Sequence, residues 1–278
     1  MKLSVSELEK KANEIRLLSL NMIAGAGGGH LGGSFSAMDI LTALYFNILN
    51  IDPANPNMPD RDRLILSAGH KAAGYVPVLA ERGFFPKDLL ATFNKFGSPF
   101  GMHPDKNKIP GCDASTGSLG HGLAIGLGMA LALRMSALSS KVFVLLGDGE
   151  LHEGTNWEAA MGAAQYKAGN LIAIVDYNKC SMDGPIDSIV SLEPIETKWE
   201  SFGWKTIRID GNNMTQVLAA LQRAYESSNF ELPTVIIADT IKGKGARFAE
   251  SDYRWHYGCP SKEQLLATIQ VLGGNIHG

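Results

Sequence analysis

Val142-Phe143-Val144-Leu145-Leu146-Gly147-Asp148-Gly149 is the stretch on which the fold turns. Five apolar residues run without a polar break into Gly-Asp-Gly, the pattern of a buried strand that stops at a sharp turn. A second apolar run, residues 171–175, follows a helix-like segment at 156–166, so the three together read as a βαβ unit. Strands joined by a helical crossover lie parallel, and unbroken apolar runs mean that both are covered on two faces.

The alternation continues downstream. Residues 204–209, a helical 214–225 and then 234–238 repeat it and add strands to the same sheet. Upstream, Ser6 with Glu9 reads as a capping box that opens a helix. Its apolar residues Leu8, Ala12, Ile15, Leu18 and Met22 recur at helical spacing until the glycines after Ala24. A helical run at 35–49 and a Pro/Asn-rich connection at 53–59 lead to a short strand, 63–66, which ends at Ser67-Ala68-Gly69-His70. There is no short-period repeat, low-complexity tract or linker to divide the chain, so the expectation is one α/β domain over residues 1–278, a parallel sheet flanked by helices.

Composition narrows the function classes. A chain of 278 residues with 45% hydrophobic and 19% charged residues can bury a substantial core. Its formal charge of -3 provides no basic field, so neither nucleic acid nor an anionic membrane is an expected partner. Cys112, Cys180 and Cys259 include no Cys-x-x-Cys pair, which fits a reduced, cytoplasmic chain rather than a zinc or disulfide framework. The first sixteen residues are charged and amphipathic, and the most apolar stretch, 123–133, is short and followed by Arg134. No signal peptide or membrane span is therefore expected.

The carboxyl ends of parallel strands face one crevice, where ligands of open α/β folds bind. Asp148 stands after one such strand and Asn178 after the next, so a carboxylate and an amide can meet at one ion. Magnesium takes hard oxygen ligands, one or two from protein and others from phosphate, and a backbone carbonyl at Cys180 could add a third. Gly149 lets the backbone approach a diphosphate, and the N-terminus of the following helix directs amides at it, so the anion is expected to need no lysine. Gly-Asp-Gly alone also suits an ordinary strand-to-helix turn; the spaced Asn178 favours the site. Four of the seven histidines lie in Gly-rich or turn contexts, although a lone histidine is more often structural.

Gly-Asp-Gly followed after nearly thirty residues by Asn resembles the thiamine-diphosphate enzymes. The run from Leu146 to Gly154, Asn170-Leu171-Ile172 and Asp176-Tyr177-Asn178 resemble the transketolase N-terminal domain in particular. So do Gly28-Gly29-His30-Leu31-Gly32-Gly33, Asp60-Arg61-Asp62-Arg63, Ser67-Ala68-Gly69-His70, Gly101-Met102-His103-Pro104, and Thr116 to Gly122. The similarity runs from the first helix to Trp255-His256. Leu31 where many relatives carry proline, His121 where many carry glutamine, and Tyr257 inserted between His256 and Gly258 depart from the pattern.

The resemblance implies a pyrophosphate-binding (PP) domain that holds thiamine diphosphate with Mg2+, or Ca2+ or Mn2+ in its place. Asp148, Asn178 and Cys180 would bind the metal, and Gly149 and His70 the diphosphate. Gly117, Ser118 and Leu119 would touch the cofactor rings through main-chain groups. His30, His103 and His256 would line a donor-sugar site, hydrogen bonding hydroxyls and moving protons. Glu153 would link paired cofactor sites across a subunit interface; on sequence alone it passes as a helix N-terminal acid. The family's activating glutamate and most of its sugar-phosphate contacts lie in a pyrimidine-binding domain, so a second transketolase subunit carrying that domain and the C-terminal domain is expected, in an α2β2 assembly. The implied activity is transfer of a two-carbon ketol unit between sugar phosphates. Its alternatives are the α subunit of a 2-oxo acid or acetoin dehydrogenase, and a non-catalytic partner that kept the fold. The identity of the sugar stays open, with sedoheptulose, xylulose, branched-chain and sulfonated sugar phosphates all compatible.

Overall fold

A computed structural model describes residues 2–227 and 231–274. Its centre is a five-stranded sheet of β1 (Arg63–Leu66), β2 (Val142–Gly147), β3 (Leu171–Tyr177), β4 (Lys205–Asp210) and β5 (Thr234–Asp239), ordered β1-β2-β3-β5-β4. Every pairing is parallel, and the register sets Gly147 beside Asp176 and Tyr177 beside Asp239. The polar residues that end β2, β3 and β5 therefore share one rim.

Side chains alternate across each strand and build two cores. On one face Phe143, Leu145, Ile172, Ile174 and Ile236 join α1 (Val5–Gly25), α2 (Leu31–Ser36), α3 (Met38–Ala43), α4 (Ala72–Arg82) and, further along the chain, Met214–Glu226. On the other, Val144, Leu146, Ala173, Val175 and Ile237 pack with α5 (His121–Met135), α6 (Gly154–Gln165) and Trp199. β2 and β3 are buried at every position, as their apolar runs imply. Each aliphatic side chain so covered contributes about 1.5–3 kcal/mol. α5 reaches the sheet because Gly126 has no side chain; a Cβ there would lie 2.5 Å from Val144 Cγ2.

Two local expectations shift. The first helix opens on a capping box of Ser4 with Glu7, not Ser6 with Glu9: the Glu7 amide donates to Ser4 Oγ at 3.3 Å and the Ser4 amide to Glu7 Oε2 at 2.7 Å. Both pairs satisfy the pattern. A tertiary contact separates them, because Asn47 pins the Leu3 backbone through two hydrogen bonds of 2.9 and 2.8 Å and makes the chain turn there. The helical run expected at 35–49 begins at Leu31 and continues, through Met38–Ala43, to a π turn at Leu44–Ile48. Gly32 and Gly33 read as loop residues but sit inside α2, where a Cβ on Gly32 would stand 2.8 Å from the Trp255 carbonyl oxygen. Glycine here serves close packing rather than a turn. Among the described residues no helix is long and apolar enough to cross a membrane, and all three cysteines are free.

Candidate active site

At the rim of β2, β3 and β5 lies a cleft of about 250 Å3, lined among others by His70, Lys71, Leu119, Asp148, Asn178 and Lys242. The strand ends bring Asp148 and Asn178 together as expected. Asp148 is buried; its Oδ1 accepts the Gly149 amide at 2.8 Å and its Oδ2 the Lys179 amide at 2.5 Å. Burial first, and repulsion from Asp176 second, push its carboxyl up to about 6. Asn178 presents Oδ1 to the Cys180 amide at 3.1 Å and turns its Nδ2 to Asp176 at 3.2 Å. A carboxylate made costly by burial, beside an amide oxygen, suits a hard cation that completes its shell with phosphate and water. Among the described residues no three His, Cys, Asp or Glu side chains cluster as metal ligands.

The expectation that no lysine is needed meets two buried ones. Lys71, directly after His70, pairs with Asp176 at 2.5 Å, and both are almost wholly buried. Asp176 also accepts from Ser36 at 2.6 Å and from Thr240, so its charge is fully surrounded. Lys242 follows β5 and donates to the carbonyls of Cys180 and Ser181, each at 3.0 Å. The Cys180 carbonyl thus lies at the cleft but is already bonded to an ammonium. Burial lowers the Lys242 pKa.

Four imidazoles gather beside the cleft. His30 is 5.3 Å from His70, 6.2 Å from His103 and 5.2 Å from His256, ring centre to ring centre, and His70 is 5.0 Å from His256. Desolvation lowers His30 and His256 to about 4 and holds His70 well below its usual value, with neighbouring cations adding to the effect. All three are neutral near pH 7. His30 Nδ1 is buried without a hydrogen-bond partner, a polar atom left for a ligand or water. His103 is exposed and packs on Gly117, whose missing Cβ would lie 3.2 Å from its ring. Tyr257 stands edge-on to His30 at 5.1 Å, so the inserted residue leaves His256 in the cluster.

The Gly117-Ser118-Leu119 loop contributes Leu119 to the cleft, while Ser118 is exposed. Glu150 ties this loop to the strand ends: it accepts from Ser67 and, at 3.0 Å each, from the Gly120 and Gly147 amides. Glu153 is not brought into the cleft; it is exposed at the start of α6.

Residues 8–276 match the family model described as the thiamine diphosphate binding domain of transketolase. The chain belongs to the transketolase family. It is 44% identical over 266 residues to a protein of Clostridium sp. (strain MSTE9) named as a 6-deoxy-6-sulfo-D-fructose transketolase subunit, covering 96% of each chain. It is 43% identical over 272 residues to one of the named subunits of the apulose-4-phosphate transketolase from Actinobacillus succinogenes, covering 97% of each. Against human transketolase the identity is 36%, over 94% of this chain but 41% of that one. The crystal structure of Campylobacter jejuni transketolase superposes with a TM-score of 0.91 at 29% identity, covering 99% of this chain and 44% of that one. The chain thus spans less than half the length of these longer transketolases and nearly the whole of the named subunits.

Within this transketolase fold, three residues at or directly behind the cleft escape a reading of the sequence. Asp176 has a signal, since it lies near the end of β3, two residues before Asn178. Lys71 and Lys242 have none, because a lysine after a strand usually reads as solvated surface.

Proposed function

We propose that this chain is the cofactor-binding subunit of a two-subunit transketolase, acting as one domain over residues 1–278, that moves a two-carbon ketol unit from a ketose phosphate to an aldose phosphate. The observation that carries the reading is the oxygen-donor pair Asp148 and Asn178 at a cleft backed by two lysines and four histidines, in a chain as long as the named transketolase subunits.

In this reading Asp148, Asn178 and the Cys180 carbonyl hold Mg2+, with Ca2+ or Mn2+ as substitutes. Lys242 has to release that carbonyl or share it. His70, Lys71, Lys242 and Gly149, which line the cleft, face the diphosphate. The cofactor supplies a nucleophilic carbon and an electron sink for the donor's carbonyl carbon. Gly117, Ser118 and Leu119 position its rings through main-chain groups. His30, His103 and His256, neutral by desolvation in the case of His30 and His256, donate hydrogen bonds to donor-sugar hydroxyls and accept protons from them. Glu153, on an exposed helix end, faces a second subunit.

The family's activating glutamate is supplied by a separate chain with the pyrimidine-binding and C-terminal domains, in an α2β2 assembly in the cytoplasm. The names of the two similar subunits point to 6-deoxy-6-sulfo-D-fructose and apulose 4-phosphate as the first donors to assay. The test mixes the purified chain with such a partner, thiamine diphosphate and Mg2+, and follows ketol transfer to an aldose phosphate. Transfer only in the mixture is expected. Ordinary enzyme rates from the chain alone would overturn the split-subunit reading, and lipoyl reduction from a 2-oxo acid would move the chain to the dehydrogenase class.

A further inference from the structure

The segment after Asn178 both lines the cleft, through Cys180, Ser181, Met182 and Asp183, and orients its carboxylate. Lys179 stands at φ 65, in the left-handed region that costs a non-glycine residue on the order of 1 kcal/mol. That conformation aims the Lys179 amide at Asp148 Oδ2, 2.5 Å away, and the next amide at Asn178 Oδ1. Strained backbone persists where its surroundings over-determine it.

The surroundings here form one connected network outside the cleft. The Lys179 ammonium pairs with Asp239 Oδ1 at 3.0 Å, at the end of β5. Asp239 also receives Arg208 of β4 through two hydrogen bonds, 2.8 Å from Nε and 3.2 Å from Nη2. Arg208 then reaches Glu193 at 3.0 Å and Glu196 at 3.2 Å, where the chain returns from the loop, and lies 5.5 Å over the Tyr177 ring. The departing strand, Lys179 and the returning Glu193 are thus all tied to one Asp-Arg pair on the two neighbouring strands. Neither Asp239 nor Arg208 lines the cleft.

We propose that Asp239 and Arg208 are positioning residues, a clasp that holds Lys179 in its left-handed conformation and so presets Asp148 and Asn178 for a divalent cation and its diphosphate. The inference rests on the metal-diphosphate reading of the cleft. Single exposed ion pairs contribute little to stability, and the clasp acts through geometry instead. Losing the partner that orients a metal ligand commonly weakens metal binding by about 10–100-fold.

The test titrates thiamine diphosphate into the full chain, assembled with its second subunit, at a series of magnesium concentrations. Lys179→Met and Asp239→Asn are each expected to weaken magnesium-dependent binding about tenfold. The double variant should be no weaker than either single one, because both cut the same link. At saturating magnesium and cofactor the kcat should return to the wild-type value, and amide exchange at 179–183 should rise in the variants. Lys179→Met keeps the measurement interpretable, since its side chain is 57% exposed and its removal spares the core. Wild-type affinity in both single variants, losses that multiply in the double variant, or a shift in thermal midpoint alone would overturn the clasp. If wild-type protein binds no magnesium-dependent thiamine diphosphate, the reading of the cleft itself falls, and the clasp with it.

Discussion

Asp148 shows how burial prepares a side chain for a cation. Its carboxyl, raised to about 6 from 3.8 by desolvation and by Asp176, holds a proton in mildly acidic solution that a metal must displace. Below about pH 6 the protonated form therefore grows and cation affinity falls; above it affinity levels off. We expect the apparent affinity for magnesium with thiamine diphosphate, measured by titration calorimetry, to drop by up to about tenfold per unit below pH 6. A flat profile from pH 5 to 7 would contradict this. Lys71 and Asp176 illustrate the opposite case, a buried pair in which each partner makes the other tolerable. Lys71→Met strands the Asp176 carboxylate and should cost about 3–5 kcal/mol in urea unfolding. Lys71→Met with Asp176→Asn should recover much of that stability without restoring cofactor binding. Asp148 and Asn178 are legible in the sequence because a strand end announces itself by periodicity. Lys71 is not, since nothing in a local pattern distinguishes a lysine with a buried partner from one in water.

At the scale of elements, strands are easier to read than the helix that closes the site. β2, β3 and β5 carry unbroken apolar runs, and their bounds extend the expected ones by one or two residues, into the polar residues that form the rim. α2 starts four residues before the helical run expected from residue 35, because Gly32 and Gly33 look like punctuation when no neighbour is visible. Their use is to bring α2 against Trp255, Lys242 and Lys71. Gly32→Ala should force the Trp255 carbonyl and the Lys242 stem apart, costing about 1–3 kcal/mol by overpacking. We expect it to weaken cofactor binding as well, since Lys242 and His256 border the cleft. Thermal unfolding beside a binding titration separates the two effects, and loss of stability with unchanged affinity would show that α2 does not position Lys242.

Across the whole molecule, His30, His70 and His256 couple folding to pH. His30 and His256 titrate near 4 when folded and near 6.5 when unfolded, and His70 is shifted the same way. Between those values the unfolded chain binds more protons, so stability rises with pH through this window and is constant above it. Asp148, raised from 3.8, acts in the opposite sense between about 4 and 6, as do Asp62 and Glu150, whose carboxyls burial also raises, while the paired carboxylates Glu81, Glu193 and Asp239, held below their usual range, act in the same sense as the histidines. The urea midpoint of the cofactor-free chain should therefore fall from pH 7 to pH 4.5, and His30→Gln with His256→Asn should flatten part of that fall. An unchanged slope in the double variant would show that other groups govern acid sensitivity. The sequence by itself determined the alternating α/β order, the buried parallel strands and the placing of Asp148 and Asn178 at one cleft, because these follow from periodicities of two to four residues and from the shared end of parallel strands. Tertiary structure alone decided the ion pair of Lys71 with Asp176 and the placing of Lys242 on the Cys180 carbonyl, and it brought into contact His30, His70, His103 and His256, which the sequence joins only through its family resemblance. These contacts join residues up to 226 positions apart (His30 to His256), and only desolvation and packing in the assembled fold assign such groups their partners and their charge.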